Sequence, residues 1–213
     1  MTPPGMDEPD WLVWAREIQA IAQIGLTFNT AGFDHERYLS LQALAARMMA
    51  ARGGAGPAQV EALFAGQTGY ATPKTDVRGA VFRDGAILLV REAADGGRWT
   101  LPGGWADVNL TPAENVVKEV REESGFEVRV RKLAAAWDRT RQGHTPQPFS
   151  AYKLFFICDI VGGAAATSAE TTEVAFFAED ALPDDLSHDR ILLHQISRMF
   201  EHARRPELPA DFE

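Results

Sequence analysis

Apolar residues recur along the first third of the chain at a spacing close to 3.6. In WLVWAREIQAIAQIGLTF they fall at Trp11, Trp14, Ile18, Ile21 and Ala22, which predicts an amphipathic helix ended by Gly25. DHERYLSLQALAARMMAAR repeats the pattern at Tyr38, Leu41, Ala45 and Met48, with Asp34 placed as the N-cap. RGGAGPAQ breaks the chain, and VEALFAG reads as a third, short helix. Helices of this size bury little core alone. The region 1–66 is therefore expected to pack on the rest of the chain or on another subunit, its tryptophans in core or interface.

From Thr72 the period shortens. DVRGAVFRDGAILLVRE predicts a hairpin with Asp84-Gly85 at its tight turn. RWTLPGG reads as a strand running into a glycine loop, and a helix follows it. FEVRVRKLAAAWDR, SAYKLFFICDIVGG and TEVAFFAED read as strands. LSHDRILLHQISRMFEHA reads as a terminal amphipathic helix, with Ile191, His194, Ile196, Met199 and Phe200 near its apolar side. Mixed strands and helices on one core predict an α/β layered domain over 67–213.

Composition narrows the partners. The 213 residues carry a formal net charge of -9. Such a surface does not favour nucleic acid, which is held by clustered Lys and Arg, and an anionic phosphate ligand would need a bound cation. Cys158, the one cysteine, lies in an apolar run and reads as a core residue. No apolar run reaches the roughly 20 residues of a membrane span. The acidic, proline-rich start lacks the features of a signal peptide, so a cytoplasmic protein is expected.

The chemistry gathers in GGWADVNLTPAENVVKEVREESGF, residues 103–126. Thr111, Pro112 and Glu114 form a capping box with proline at the first helical position, and Gly125 fits the left-handed C-terminal cap. Glu114 thus has a structural task. At about 100° per residue, Glu119, Glu122 and Glu123 share an arc of about 100°, bordered by Val116, Val117 and Val120. This stripe reads in two ways: a solvated face with Lys118 pairing to Glu122 or Glu114, or a site for a hard divalent cation. The Gly103-Gly104 pair in front of the helix favours the second, because a backbone without Cβ atoms can approach a ligand or metal closely.

These residues resemble the signature of the Nudix hydrolases, Gly-x5-Glu-x7-Arg-Glu-aliphatic-x-Glu-Glu-x-Gly-aliphatic. Gly104 matches the first glycine; Glu119, Val120, Glu122, Glu123 and Gly125 match the tail, and Phe126 fills the last apolar position. Leu110 stands where the family usually has glutamate, and Lys118 where it usually has arginine. GYATPKTDVRGAVF, ILLVRE, RWTLPGGWADV and TTEVAFF look like a subgroup with a helical N-terminal extension, similar to CDP-choline and ADP-ribose pyrophosphatases. The resemblance implies a Nudix α/β/α sandwich with a mixed sheet, preceded by a small all-helical domain and assembled as a homodimer.

It also implies a reaction: attack of water on the pyrophosphate of a nucleoside diphosphate linked to a further group. Glu119, Glu122, Glu123 and a carbonyl of Gly103 are expected to hold Mg²⁺ or Mn²⁺. Glu170 or Glu173 is expected as general base from a loop, with Glu122 or Glu123 as the other choice. Arg78 could grip a phosphate in bidentate fashion. Gly104, Asp138, Arg139 and His144 are expected beside the nucleotide, the last three from a polar loop. Two other readings stay open: a nucleoside triphosphate or RNA-end pyrophosphohydrolase, and a ligand-sensing regulator without turnover.

Overall fold

The computed structural model describes residues 9–29, 32–53, 56–145 and 147–213. Among these, no helix is long and apolar enough to cross a membrane. Contacts divide the chain into two units, one holding the helical region to Pro73 with the segment 147–150, the other Lys74–Thr145 and Ala151–Glu213.

The helical unit comprises α1 (Asp10–Phe28), α2 (Gly32–Gly53) and α3 (Pro57–Ala65). Its small core joins Leu12, Ala15, Ala45, Ala46, Met49, Val60 and Phe64. Phe149 meets Phe64 edge-on at 6.3 Å. Three details depart from the sequence pattern. Gly25 does not end α1; it lies beneath the ring of Tyr38, where a Cβ would collide. Asp34 lies inside the first turn of α2, paired with Arg37, and is not its cap. Third, α1 buries Leu12, Ala15 and Ala22, whereas Trp14, Ile21 and Phe28, seven residues apart, stay exposed at 56%, 51% and 73%. Alanines let α1 approach its neighbours closely, so the large side chains face outward.

The second unit is a mixed sheet sandwiched between helices. Its strands are β1 (Lys74–Arg83), β2 (Ala86–Glu92), β3 (Arg98–Thr100), β4 (Phe126–Asp138), β5 (Ala151–Gly163), β6 (Thr171–Phe177) and β7 (Asp211–Phe212). They run in the order β3-β2-β1-β5-β4-β7, with β6 also on β2. β1 and β5 are parallel, as are β4 and β7; the other pairings are antiparallel. The β1–β2 turn has positive φ at Asp84 (51°) and Gly85 (78°), the conformation that suits a tight hairpin.

Strand alternation sorts the two faces. Val77, Val81, Leu88 and Phe156 pack against Val116 and Val120 of α4 (Pro112–Ser124). Ala80, Leu89, Phe155 and Ile157 pack against Ile196, Met199 and Phe200 of α5 (Leu193–Arg204). The terminal helix begins later than its apolar pattern predicts. Trp99 N–H donates to the Asp185 carbonyl and Ser187 N–H to the Trp99 carbonyl, so β3 uses the backbone of 185–187. His194 is exposed on this helix; His202 is the buried histidine.

Candidate active site

α4 is fixed at both ends by local chemistry. The Thr111 hydroxyl accepts from Glu114 N–H at 3.2 Å, and the Glu114 carboxylate accepts from Thr111 N–H at 2.8 Å. Gly125 closes the helix at φ 75°. Asn115, buried on the same helix, ties down the preceding loop: its carbonyl accepts from Asp107 N–H at 2.8 Å, while its amide donates to the carbonyls of Asp107, Leu110 and Thr111. Sequence reasoning passed over Asn115. The available signal was an amide on the apolar flank, one residue past the capping box.

The glycine loop is zipped onto β1. Val77 N–H donates to the Gly104 carbonyl and Gly79 N–H to that of Pro102, both at 2.8 Å, while Ala106 N–H donates to Thr75 at 2.9 Å. Gly103 has φ 144°, and a Cβ there would strike the Val77 carbonyl. At Gly104 a Cβ would stand 2.9 Å from a Glu119 carboxylate oxygen. Both glycines are therefore required by close approach, one to strand and one to carboxylate. Because the Gly104 carbonyl is engaged by β1, Gly103 is the carbonyl of the pair that remains suited to a ligand.

The three glutamates occupy one edge of α4 but do not point to one place. Glu123 turns inward and accepts from Gly103 N–H at 2.8 Å. Burial pushes its carboxyl up to about 8, against the opposing pull of Arg78 and that N–H. Glu119 is raised, chiefly by burial. Glu122 is exposed. Between the outer two sits Lys118, whose ammonium lies 3.0 Å from Glu122, 3.5 Å from Glu119 and 3.1 Å from Asp107. Its pKa is raised, first by hydrogen bonds to Glu122 and Asp107. Among the described residues, no three His, Cys, Asp or Glu side chains form a ready cation cage.

The edge nevertheless fits a divalent cation. Its donors are all oxygen, and three carboxylates share one ammonium. A fourth carboxyl, Glu123, is held near-neutral by burial, a condition that a nearby cation would reverse.

The expected substrate residues have other partners. Arg78 is buried and grips Asp76 in bidentate fashion at 2.9 and 2.7 Å, with a third bond to the Leu101 carbonyl. Alternation gives it the parity of Ala80, and its charge also reaches Glu123 and Glu119 of α4. Lys153 completes the cluster at 2.6 Å from Asp76. Burial alone would raise the Asp76 carboxyl, but the two cations outweigh it and hold it at about 2. Arg139 is buried and donates to the carbonyls of Thr145 and Asp189. His144 is buried against the His188 carbonyl at 2.9 Å, and burial followed by the Lys153 charge lowers it to about 3. Asp138 accepts from Thr140 N–H and Oγ1 at 2.8 and 2.6 Å, closing its own turn.

Glu173, expected in a loop, lies on β6 opposite Arg91; it shares the parity of Ala175 and Phe177, which pack on the α5 face, and pairs with Arg91 at 3.6 Å. It is thus withdrawn from α4. Glu170 is exposed in a turn bound to the end of α4, where Thr171 Oγ1 donates to the Glu123 carbonyl at 2.7 Å.

Residues 73–195 match the family model described as NUDIX domain. The chain belongs to the Nudix family. Residues 9–64 match the model described as UDP-X-like, N-terminal oligomerisation domain. The Nudix chain is 45% identical over 203 residues to the Bacillus subtilis (strain 168) protein YjhB, named provisionally as an ADP-ribose pyrophosphatase, covering 95% of this chain and 97% of that one. It is 30% identical over 129 residues to the ADP-ribose pyrophosphatase of Methanocaldococcus jannaschii, covering 58% and 73%. Among solved structures, a UDP-X diphosphatase aligns over 96% of this chain and 98% of its own at TM-score 0.61 and 33% identity. An ADP-ribose pyrophosphatase from Streptococcus suis aligns over 67% and 100% at TM-score 0.60 and 34% identity. The protein is accordingly a Nudix pyrophosphatase with a helical oligomerisation domain, as its signature implies; divalent-metal use is general in this family.

Proposed function

We propose that this Nudix enzyme hydrolyses the pyrophosphate of a nucleoside diphosphate joined to a further group, of the ADP-ribose or CDP-choline kind, with Mg²⁺ or Mn²⁺, in the cytoplasm. The observation that carries the reading is the acidic edge of α4 held against a glycine loop that is itself paired to β1. The names of the relatives that align over both units support a substrate of this class.

Glu119, Glu122, the inward Glu123 and the Gly103 carbonyl would hold the metal, which supplies charge neutralisation for the pyrophosphate. Gly104 keeps the space before Glu119 open. Glu170, on the turn tied to the end of α4, accepts the proton of the attacking water in this reading; Glu173 is held by Arg91. Glu170→Gln should then lower turnover far more than Glu173→Gln.

The exposed stripe Trp14, Ile21 and Phe28 supplies the apolar surface for a homodimer through the oligomerisation domain. Light scattering of Trp14→Glu should show a shift toward monomer; an unchanged dimer would remove the stripe from the interface.

The deciding experiment is a hydrolysis screen of ADP-ribose, CDP-choline, UDP-linked sugars and nucleoside triphosphates, each with Mg²⁺ and with Mn²⁺. Turnover of the linked diphosphates is expected. Turnover confined to triphosphates or RNA 5′ ends, or binding with no turnover, would overturn the proposal.

A further inference from the structure

Lys118 occupies the position that a metal ion would contest. Its ammonium is within 3.5 Å of three carboxylates. Two of them, Glu119 and Glu122, stand on its own helix. The third, Asp107, belongs to the loop before α4, and Asn115 fixes that loop through both the N–H and the carbonyl of Asp107. The ammonium therefore has one partner apart from the helix edge. We infer that Lys118 is the resident counter-ion of the acidic edge in the metal-free enzyme, and that a divalent cation binds as Lys118 releases Glu119 and Glu122 and remains on Asp107. This rests on the reading of Glu119 and Glu122 as metal ligands.

The chemistry of lysine suits this exchange. An ammonium on a flexible four-carbon stem makes single, separable contacts, whereas a guanidinium forks onto two oxygens and is harder to displace. With no counter-ion, carboxylates three residues apart on a helix, as Glu119 and Glu122 are, lie side by side and repel one another. Lys118 relieves that repulsion, at the expense of competing with the metal. Asp107 limits the competition by giving the displaced charge an alternative site. Lys118 is a positioning residue in this scheme, not a catalytic one.

The test is Mn²⁺ affinity, read without substrate by electron paramagnetic resonance and by calorimetry. The variants are Lys118→Met, Asp107→Asn and the double change, with Lys118→Gln as a second neutral replacement and circular dichroism as the check on folding. Removing a unit charge a few ångströms from a divalent ion should tighten binding by roughly tenfold. Asp107→Asn should weaken binding several-fold in the wild-type background and markedly less once Lys118 is methionine. Equal weakening in both backgrounds would mean that Asp107 is itself a ligand and would overturn the inference. So would Lys118→Met and Lys118→Gln proteins that fold and bind Mn²⁺ no more tightly. Glu119→Gln and Glu122→Gln separate the two levels. If they leave Mn²⁺ binding intact, the metal reading fails and this inference with it. If they abolish binding while Lys118→Met does not tighten it, only the exchange fails.

Discussion

Two of the charge clusters among the described residues differ sharply in environment. On the α5 face of the sheet, Asp76, Arg78 and Lys153 are buried, and each charge is met by an opposite one at 2.6 to 2.9 Å. At the outer edge of α4, three carboxylates crowd a single lysine in partial contact with solvent. The first cluster sets two cations on one carboxylate, and the charge of Arg78 also reaches Glu123. The second has surplus negative charge, three carboxylates to one ammonium. Burying charge demands a fixed partner; binding a ligand requires some demand left unmet. The proposed function accordingly places the metal at the acidic edge, and the buried cluster is expected to act on stability.

The largest effect expected is on the exposed edge. Glu122→Gln removes the charge proposed to hold the metal without removing volume, so turnover should fall on the order of a thousandfold, about 4 kcal/mol of transition-state stabilisation, with an unchanged circular dichroism spectrum. Near-wild-type turnover at low metal would place the chemistry elsewhere.

The buried cluster should respond in stability. Asp76→Asn leaves Arg78 and Lys153 buried with no anion and should cost about 3 kcal/mol in chemical denaturation. Its pH dependence has a definite sign. Its two cations hold the Asp76 carboxyl at about 2 in the folded protein, below its ordinary 3.8. It therefore contributes stability in full above about 4, and that contribution is lost as pH falls toward about 2, a difference of roughly 2–3 kcal/mol. The Asn variant should lack that segment of the acid-unfolding curve; an identical curve would show that the ion pair contributes nothing net.

His144 offers a smaller test of the same contrast. It is neutral at ordinary pH, lowered to about 3, and bonded to the His188 carbonyl. His144→Asn should cost roughly 1–2 kcal/mol of stability, while KM, kcat and their pH profiles between 5 and 8 stay as they were. A rise in KM alone would return His144 to the substrate.

What the sequence made legible is what local chemistry determines. The capping box, the Gly125 cap, the Asp84-Gly85 turn and the spacing of the three glutamates each depend on residues within a few positions. The fold class follows from the alternation and helical periods summed along the chain. What the sequence did not show lies where a distant element decides. Alternation on β1 sends Arg78 to the α5 face, and only the parallel neighbour β5 reveals Lys153 as its companion. Glu173 follows the parity of Ala175 and Phe177 for the same reason. Gly25 reads as a terminus until Tyr38 is seen above it. β7 is two residues long and exists because β4 offers a free edge there. Polar loop residues such as Arg139 gave no sign that the segment near Asp189 would cover them.

The smallest effect concerns the departure at Lys118. The family usually places arginine there, and both side chains carry one positive charge. Lys118→Arg keeps a cation among Asp107, Glu119 and Glu122, so the charge balance of the edge is preserved. Arginine adds a planar fork that can hold two carboxylate oxygens at once. Turnover at saturating metal should therefore change by less than about threefold, an effect below roughly 0.7 kcal/mol. The metal requirement should shift more than the rate: a forked partner releases the glutamates less readily, so the Mn²⁺ concentration for half-maximal activity should rise modestly. A kinetic titration with Mn²⁺ measures both quantities. Loss of activity at every metal concentration, with the fold intact, would show that the compact ammonium itself is needed at the acidic edge, and would bring Lys118 into the reaction instead of leaving it beside the ligands.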